Sequence, residues 1–476
     1  MNVLLIKPPS NPNLIAPSRG EPLELEYLAA SIPEHRVDIL DMRFDKDLNR
    51  ELERFKPQLV GITGYTCDTN MVKGVLKEVK KHDRRIRTVV GGYHASAVPQ
   101  DFALPDIDAV FLGAADMSFK DYVRLTADGG DVREVKNMAL VEGGRLVFTE
   151  REPFSADLDA LPLPARQLAS RYRKRYKDYM GNRTVMIVSS RGCPYRCTFC
   201  ACWKMTGGKY RTRSPEAVAE EMAGLPEGTD LIFFADDNTL HSAARAMRLS
   251  ESIKKRNIRK KFTMYARADT VVKHPELIES LRDAGLVSLT LGFEAARDRE
   301  LDSYKKGTTV EVNNQAIRLL HKMGVAVIAH FMVRPEFTEE DFDHLLDYVF
   351  RMELLQPVYT VLTPLPGTEL YDECAGRILI RDYDFYDHIH CVLPTALPRG
   401  EFYRRVANLY LRTYSFSRYL KYVAADLSRA VAGSGPDFVR NADRLSFVQM
   451  LLLRIVGQVL YSKYKRMYRR EPLASR

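Results

Sequence analysis

The sequence predicts an α/β protein built from two successive parallel-sheet units, a doubly wound one and then a partial (β/α)6 barrel, with a helical C-terminal region behind them. Three observations predict it. Apolar runs of strand length alternate with helix-permissive stretches in two series along the 476 residues. A stretch holding Pro153, Pro162 and Pro164 separates the series. Three cysteines, Cys193, Cys197 and Cys200, follow the first strand of the second series at CxxxCxxC spacing.

In the first series, residues 1–150, strand candidates fall at 3–6, 37–40, 59–63, 88–90 and 109–112, with a helical stretch over 70–82 among the connections. Ligands of such sheets lie beyond the carboxyl ends of the strands. Those ends carry Gly61-Ile62-Thr63-Gly64-Tyr65-Thr66, Gly91-Gly92-Tyr93-His94-Ala95-Ser96 and Gly113-Ala114-Ala115-Asp116. Their glycines permit close backbone approach to a bulky ligand. Glycine is common after strands, so this pattern alone names no ligand.

Residues 151–182 read as a linker. Its basic, tyrosine-rich run from Arg171 to Tyr179 fits a solvated cover over the barrel, with base stacking as the competing use. Residues 183–375 repeat a strand–helix unit, with strands expected at 184–188, 230–235, 261–266, 287–292, 326–332 and 358–362. Six units make a partial barrel, with its site at the C-terminal strand ends. Residues 376–476 read as a mainly helical, basic region. Its helix-permissive run over 447–468 ends in Lys463, Lys465, Arg466, Arg469 and Arg470. That run fits an interfacial helix with basic anchors and equally a core-packing terminal helix.

Composition bounds the class. Hydrophobic residues make up 45% of the chain, enough for real cores. Four of seven cysteines lie between positions 193 and 202, which argues for a reducing compartment rather than a disulfide framework. The net charge of +9 is concentrated in residues 401–476, which hold 15 Lys+Arg against 5 Asp+Glu. The near-neutral body argues against nucleic acid, and the basic tail favours an anionic surface.

The cysteine loop carries the chemistry. Thiolates are soft ligands for iron, and three on one short loop hold three irons of a 4Fe–4S cluster and leave the fourth open. Zinc is the competing reading, but it asks for four protein ligands and a second CxxC pair that the chain lacks. With Phe199 just before the third cysteine, the loop resembles the radical S-adenosylmethionine (SAM) superfamily. The resemblance implies that SAM chelates the open iron and is cleaved to a 5′-deoxyadenosyl radical. At the following strand ends, Asp236 and Asp237 are then expected at the SAM ammonium, Arg267 at its carboxylate and Glu294 at a ribose hydroxyl. A turn and cap, or structural ion pairs, are the competing uses of these residues.

The doubly wound unit before this motif resembles the cobalamin-binding domain of the cobalamin-dependent radical SAM class. The resemblance implies cobalamin contacts at Gly64, Tyr65, Gly91, Gly92, His94 and Gly113. The DxHxxG motif is absent, and Gly113-Ala114-Ala115-Asp116 stands where relatives read GEGE. His94 therefore reads as a loop histidine lining the pocket or bonding backbone, not as a cobalt ligand. Arg191-Gly192-Cys193-Pro194, Leu291-Gly292-Phe293-Glu294-Ala295 and the run from Val392 to Pro398 before Glu401-Phe402-Tyr403 resemble the hopanoid C-3 methylase group. That resemblance implies methylation of an unactivated sp3 carbon on a large apolar lipid, with a reductant protein such as flavodoxin or ferredoxin. It places the chain in the cytoplasm, with peripheral contact at the inner membrane face through the tail. A ring-forming oxidative enzyme of the same class and a non-enzymatic cobalamin sensor are the competing expectations.

Overall fold

The computed structural model describes residues 1–12, 18–153, 157–418 and 420, with isolated positions at 455, 458, 459 and 462. The expected helix over 447–468 and its basic end lie outside the described residues, those isolated positions excepted.

The chain opens with β1 (Asn2–Lys7), whose Val3, Leu4, Leu5 and Ile6 are all fully buried. A run apolar on both faces is satisfied by a strand between two covering layers. Around it assemble β2 (Arg36–Asp41), β3 (Leu59–Thr63), β4 (Arg87–Gly91), β5 (Ala109–Phe111), β6 (Met138–Glu142) and β7 (Arg145–Phe148), in the order β2-β1-β3-β4-β5-β6-β7. The first five are parallel, and separate apolar clusters cover the two faces. The sequence reading ended this sheet at the fifth strand. The structure adds an antiparallel extension, β6 and β7, turned by Gly143-Gly144. Both glycines have positive φ, the condition for a tight two-residue hairpin.

The second sheet holds six strands: β8 (Thr184–Ile187), β11 (Leu231–Phe234), β12 (Phe262–Ala266), β13 (Leu286–Glu294), β14 (Ala326–Val333) and β15 (Gln356–Val361). They are all parallel and run in chain order from one edge to the other. Between β8 and β11 a small antiparallel clip, β9 (Ser190–Arg191) with β10 (Arg211–Thr212), brackets the cysteine loop. After β15 the stretch 376–398 is irregular with short 3-10 turns, and helix Arg399–Thr413 packs back on the sheet. There Tyr410 donates its hydroxyl to the Tyr359 carbonyl at 2.7 Å.

Buried charges fasten the two units together. Arg166, from the linking segment, reaches Glu21 of the first unit and donates to Glu221 (2.6 Å) and the Met186 carbonyl (2.7 Å) of the second. Arg191 forks onto Asp116 across the same boundary, with one bond of 3.1 Å. The rings of Tyr172 and Tyr176 are buried against Phe44, so they are not presented to bases.

Candidate active site

The carboxyl ends of the first sheet open on a cavity of about 330 Å³. Thr63 and Tyr65 line it after β3, Gly91 and Gly92 after β4, and Gly113 to Asp116 after β5. Leu23, Leu25 and Leu28 close one side, while Met186, Val188, Arg191 and Ala235 of the second unit close the other. Tyr65 keeps 64% of its surface accessible, facing this space, with the Lys7 ammonium 5.4 Å from its ring centre.

Two glycines make the wall thin. Gly92 has φ +100, and a Cβ there would stand 2.6 Å from Thr63 Oγ1 and 3.0 Å from the Gly64 carbonyl. Gly113 has φ +82 and backs directly on the cavity. A glycine-lined slot with an apolar floor of Leu5, Val89, Phe111 and Phe119 fits a large planar macrocycle with an appended base.

Two expected contacts are corrected. Gly64 does not line the cavity; its lack of a side chain accommodates Val72, whose Cγ2 would lie 2.8 Å from a Cβ. His94 is 1% exposed and also turned away, with Nε2 bonded to Asp101 at 2.9 Å and Nδ1 3.3 Å from Thr66 Oγ1. Tyr383 and Phe102 pack against its ring. Both nitrogens are engaged within the protein, so the imidazole is not offered to a metal.

The cysteine loop is held by its backbone. Gly192 has φ +88, and a Cβ there would stand 2.1 Å from the Lys209 carbonyl. Thr198 donates its amide to the Tyr304 carbonyl (3.1 Å) and accepts from the Leu370 amide (3.0 Å). Phe199 meets Tyr304 edge to face at 5.4 Å, anchoring the loop in the barrel core. Cys197 is buried, and Cys193 and Cys200 are half-buried. Among the described residues no three His, Cys, Asp or Glu side chains converge on one ion. A cluster asks for something else, one thiolate on each of three irons, and three thiols spread along one fixed loop fit that demand. Burial raises the Cys193 and Cys197 thiols. A hydrogen bond with Cys202 lowers Cys200 and raises Cys202.

The charged residues at the barrel's strand ends are engaged with one another more than the sequence reading expected. Asp236 is 3% exposed and accepts four hydrogen bonds, from the amides of Ser189 (2.7 Å) and Ser190 (3.1 Å) and from their hydroxyls (2.5 and 2.9 Å). Its carboxylate fixes the segment entering the cysteine loop and is not open to an ammonium. Asp237 is exposed and accepts from the Gly192 amide at 2.8 Å, at the start of the cysteine loop. Arg267 lies over the Tyr195 ring at 3.8 Å and donates to Asp269 (3.0 Å) and the Lys306 carbonyl (2.9 Å). It clamps the cysteine loop to the loop after β13. Glu294 sits at φ +65 just past a bulge and accepts from Lys306 Nζ at 2.7 Å.

Lys306 is the residue that sequence reasoning missed. Burial pulls its ammonium down, but Glu294 and Cys197 outweigh that and keep it charged. The signal was a lysine and glycine, Lys306-Gly307, in the loop after the fourth barrel strand. Its partner is twelve residues away, just past the bulge at Gly292. Gly367, of the turn after β15, has φ +82 and would place a Cβ 3.0 Å from Ala97, so that turn closes against the first unit.

Comparison with known proteins agrees with this division. Residues 187–349 match the radical SAM superfamily and residues 15–123 match the B12 binding domain. The hopanoid C-3 methylase of Methylococcus capsulatus is 29% identical over 397 residues, covering 81% of this chain and 75% of that protein. The anaerobic magnesium-protoporphyrin IX monomethyl ester cyclase of Rubrivivax gelatinosus is also 29% identical, over 81% of this chain and 71% of its own. The cobalamin-dependent SAM radical enzyme OxsB superposes with a TM-score of 0.71 at 16% identity, covering 98% of this chain and 80% of that one. The radical SAM methyltransferase TsrM from Kitasatospora setae gives 0.68 at 17%, covering 98% and 99%. Both superpositions speak for the fold.

Proposed function

We propose that the chain methylates an unactivated sp3 carbon of a large apolar lipid of the hopanoid type, as a cobalamin-dependent radical SAM methyltransferase that uses a 4Fe–4S cluster, SAM and cobalamin. The observation that carries the substrate class is the lining of the barrel interior. Residues facing the lumen keep partial accessibility while their strand neighbours are buried; most are apolar, among them Met186, Phe233, Tyr265, Ile328 and Val358, with Ser288, His330 and Thr360 as polar exceptions. A wall of aliphatic and aromatic groups suits an apolar skeleton. Similarity to the hopanoid C-3 methylase supports the same reading.

When bound, the cluster with SAM supplies the radical that removes a substrate hydrogen atom, and cobalamin supplies the methyl group. The chain's own residues do the positioning. Gly92 and Gly113 admit the macrocycle to the sheet end, and Cys193, Cys197 and Cys200 hold the cluster. Asp237, Glu294 and Lys306 form the polar rim toward SAM, while Asp236 and Arg267 keep the cysteine loop in place. The apolar lumen excludes water from the reacting carbon.

Ring formation is the second reading, favoured by the equally similar cyclase. Expression in a hopanoid-producing host that lacks its own enzyme separates the two. A triterpenoid heavier by one methylene unit, dependent on all three cysteines, is the expected product. An unchanged lipid profile from cofactor-loaded protein overturns the lipid assignment. The tail's approach to an anionic membrane belongs to this proposal. Among the described residues no helix is long and apolar enough to cross a membrane.

A further inference from the structure

The barrel wall opposite the cysteine-bearing edge carries two histidines that the site described above does not use. His330 lies on β14 among residues that alternate between buried and partly accessible, and its accessible side faces the lumen with Ile328. It pairs in register with Gly292 on one side and Val358 on the other. The space above that glycine is taken by the Glu294 carboxylate and the Lys306 ammonium, whose charges both reach the His330 ring. His388 comes from the irregular stretch after β15. Its carbonyl accepts from the Val361 amide at 2.7 Å, which fixes it at the C-terminal end of that strand.

His388 has φ +62, a conformation that a branchless residue adopts far more readily. The strain is held by its neighbour: buried Asp387 accepts from the Ile389 and His390 amides (2.9 and 2.8 Å) and bonds His390 Nδ1 at 2.7 Å. A strained residue kept in place by a saturated support is a mark of function. The His388 side chain keeps accessible surface.

Among the described residues neither imidazole has a hydrogen-bond partner, whereas other polar groups of the wall are taken up. Ser288 donates to Thr263 Oγ1 (2.8 Å), Thr360 to the Phe331 carbonyl (3.2 Å) and Lys306 to Glu294 (2.7 Å). Burial lowers both rings, the charge of His388 adds to the lowering of His330, and Asp387 opposes the lowering of His388, so both are held toward the neutral form. A neutral imidazole offers one donor and one acceptor, the complement of a hydroxyl group.

We propose that His330 and His388 form a polar subsite that hydrogen-bonds a hydroxyl group of the substrate and so fixes which carbon of an otherwise apolar molecule meets the site. The proposal rests on the apolar-substrate reading above and gives that substrate one polar end. A site built to bond a hydroxyl rejects the analogue that lacks it, because its own polar groups are then left unpaired.

The test is equilibrium binding of a pentacyclic triterpenoid alcohol and its parent hydrocarbon to the cofactor-loaded full chain, with product mass read on the same samples. Wild type is expected to bind the alcohol about 10-fold or more tightly than the hydrocarbon. His330→Phe and His388→Phe are expected to remove that preference and leave hydrocarbon affinity within a few-fold. His388→Gly, which relieves the backbone, is expected to lose the preference while keeping or raising thermal stability. Equal binding of alcohol and hydrocarbon by wild type overturns the subsite, as does binding of neither. So does a preference that survives in the phenylalanine variants. Selective binding of the alcohol without a methylated product overturns the proposed reaction and leaves the subsite standing.

Discussion

The wall contributed by the first unit presents glycines and apolar side chains to the cavity, whereas the strand ends of the barrel present charged groups bonded mainly to one another. Gly92 and Gly113 yield space. Asp236, Arg267 and Glu294 bind loops. The difference follows from what each wall has to hold. A large macrocycle gains most from area and shape, which small residues on a rigid sheet provide. A cluster on an irregular loop needs that loop immobilised, and buried polar networks do so when every member is satisfied. The charges that sequence patterning marks as cofactor contacts are therefore partly scaffolding.

Separating the two walls by substitution breaks or sharpens this contrast. The largest effect is expected from Cys193→Ala, Cys197→Ala or Cys200→Ala. Each is expected to lose bound iron and sulfide and to reduce turnover by a factor on the order of 10³ or more, as when a member of a single catalytic unit is removed. Cobalamin content should stay near wild type, and Cys202→Ala should keep its iron. An intact cluster in the Cys197 variant contradicts the assignment.

Gly92→Ala is the mirror experiment. Its Cβ meets Thr63 and the Gly64 backbone at positive φ, so a destabilisation of about 2 kcal/mol is expected. Cobalamin retention should drop and iron content should not. Equal loss of both cofactors would show that the walls are not independent.

Asp236→Asn keeps one accepting oxygen but puts an NH2 donor where the other accepts from two serine hydroxyls in a buried site, and is expected to cost about 3 kcal/mol. Exposed Asp237→Asn is expected to change stability by no more than about 0.5 kcal/mol and to weaken SAM binding instead. Urea unfolding and SAM titration distinguish them, and a reversed pattern would return Asp236 to the SAM contacts.

The effect confined to a pH window concerns the joint between the units. Burial first, and then the nearby Glu21 charge, push Glu26 up to about 9. Folding therefore takes up a proton above the ordinary carboxyl range, and the native state loses stability as pH rises through that window. Glu26→Gln should be more stable than wild type in mildly alkaline buffer, by roughly 1–3 kcal/mol. The two should converge in acid. A constant difference at all pH values would mean that Glu26 is ionised in the folded protein.

Legibility divides along the same line. The strands were readable because β1, β3 and β8 are short apolar runs between turn residues, and the cluster motif because its three thiols lie on one loop. Gly91, Gly92 and Gly113 were readable as strand-end glycines. What the pattern hid is pairing between distant segments. Asp236 and Asp237 are adjacent in sequence, yet only one is buried, because one faces Ser189 and Ser190 and the other the Gly192 amide. His94 reads from the sequence as a loop histidine lining the pocket or bonding backbone, but the short helix Tyr93–Ala97 turns it toward Asp101. Hairpin β6–β7 was passed over although Gly143-Gly144 announces it, since the alternation before it pointed to a purely parallel sheet.

The central claim is that the glycine-lined cavity, whose far wall is Met186, Val188, Arg191 and Ala235 of the barrel, and the cysteine loop that starts just after Arg191 open on one chamber. Electron paramagnetic resonance of the full chain carrying Co(II) cobalamin and a reduced cluster tests it most directly. The account predicts that each signal is broadened by dipolar coupling to the other, and that the Co(II) signal narrows in the Cys197→Ala protein, which keeps cobalamin alone. Two sharp, independent signals in the doubly loaded protein would contradict it.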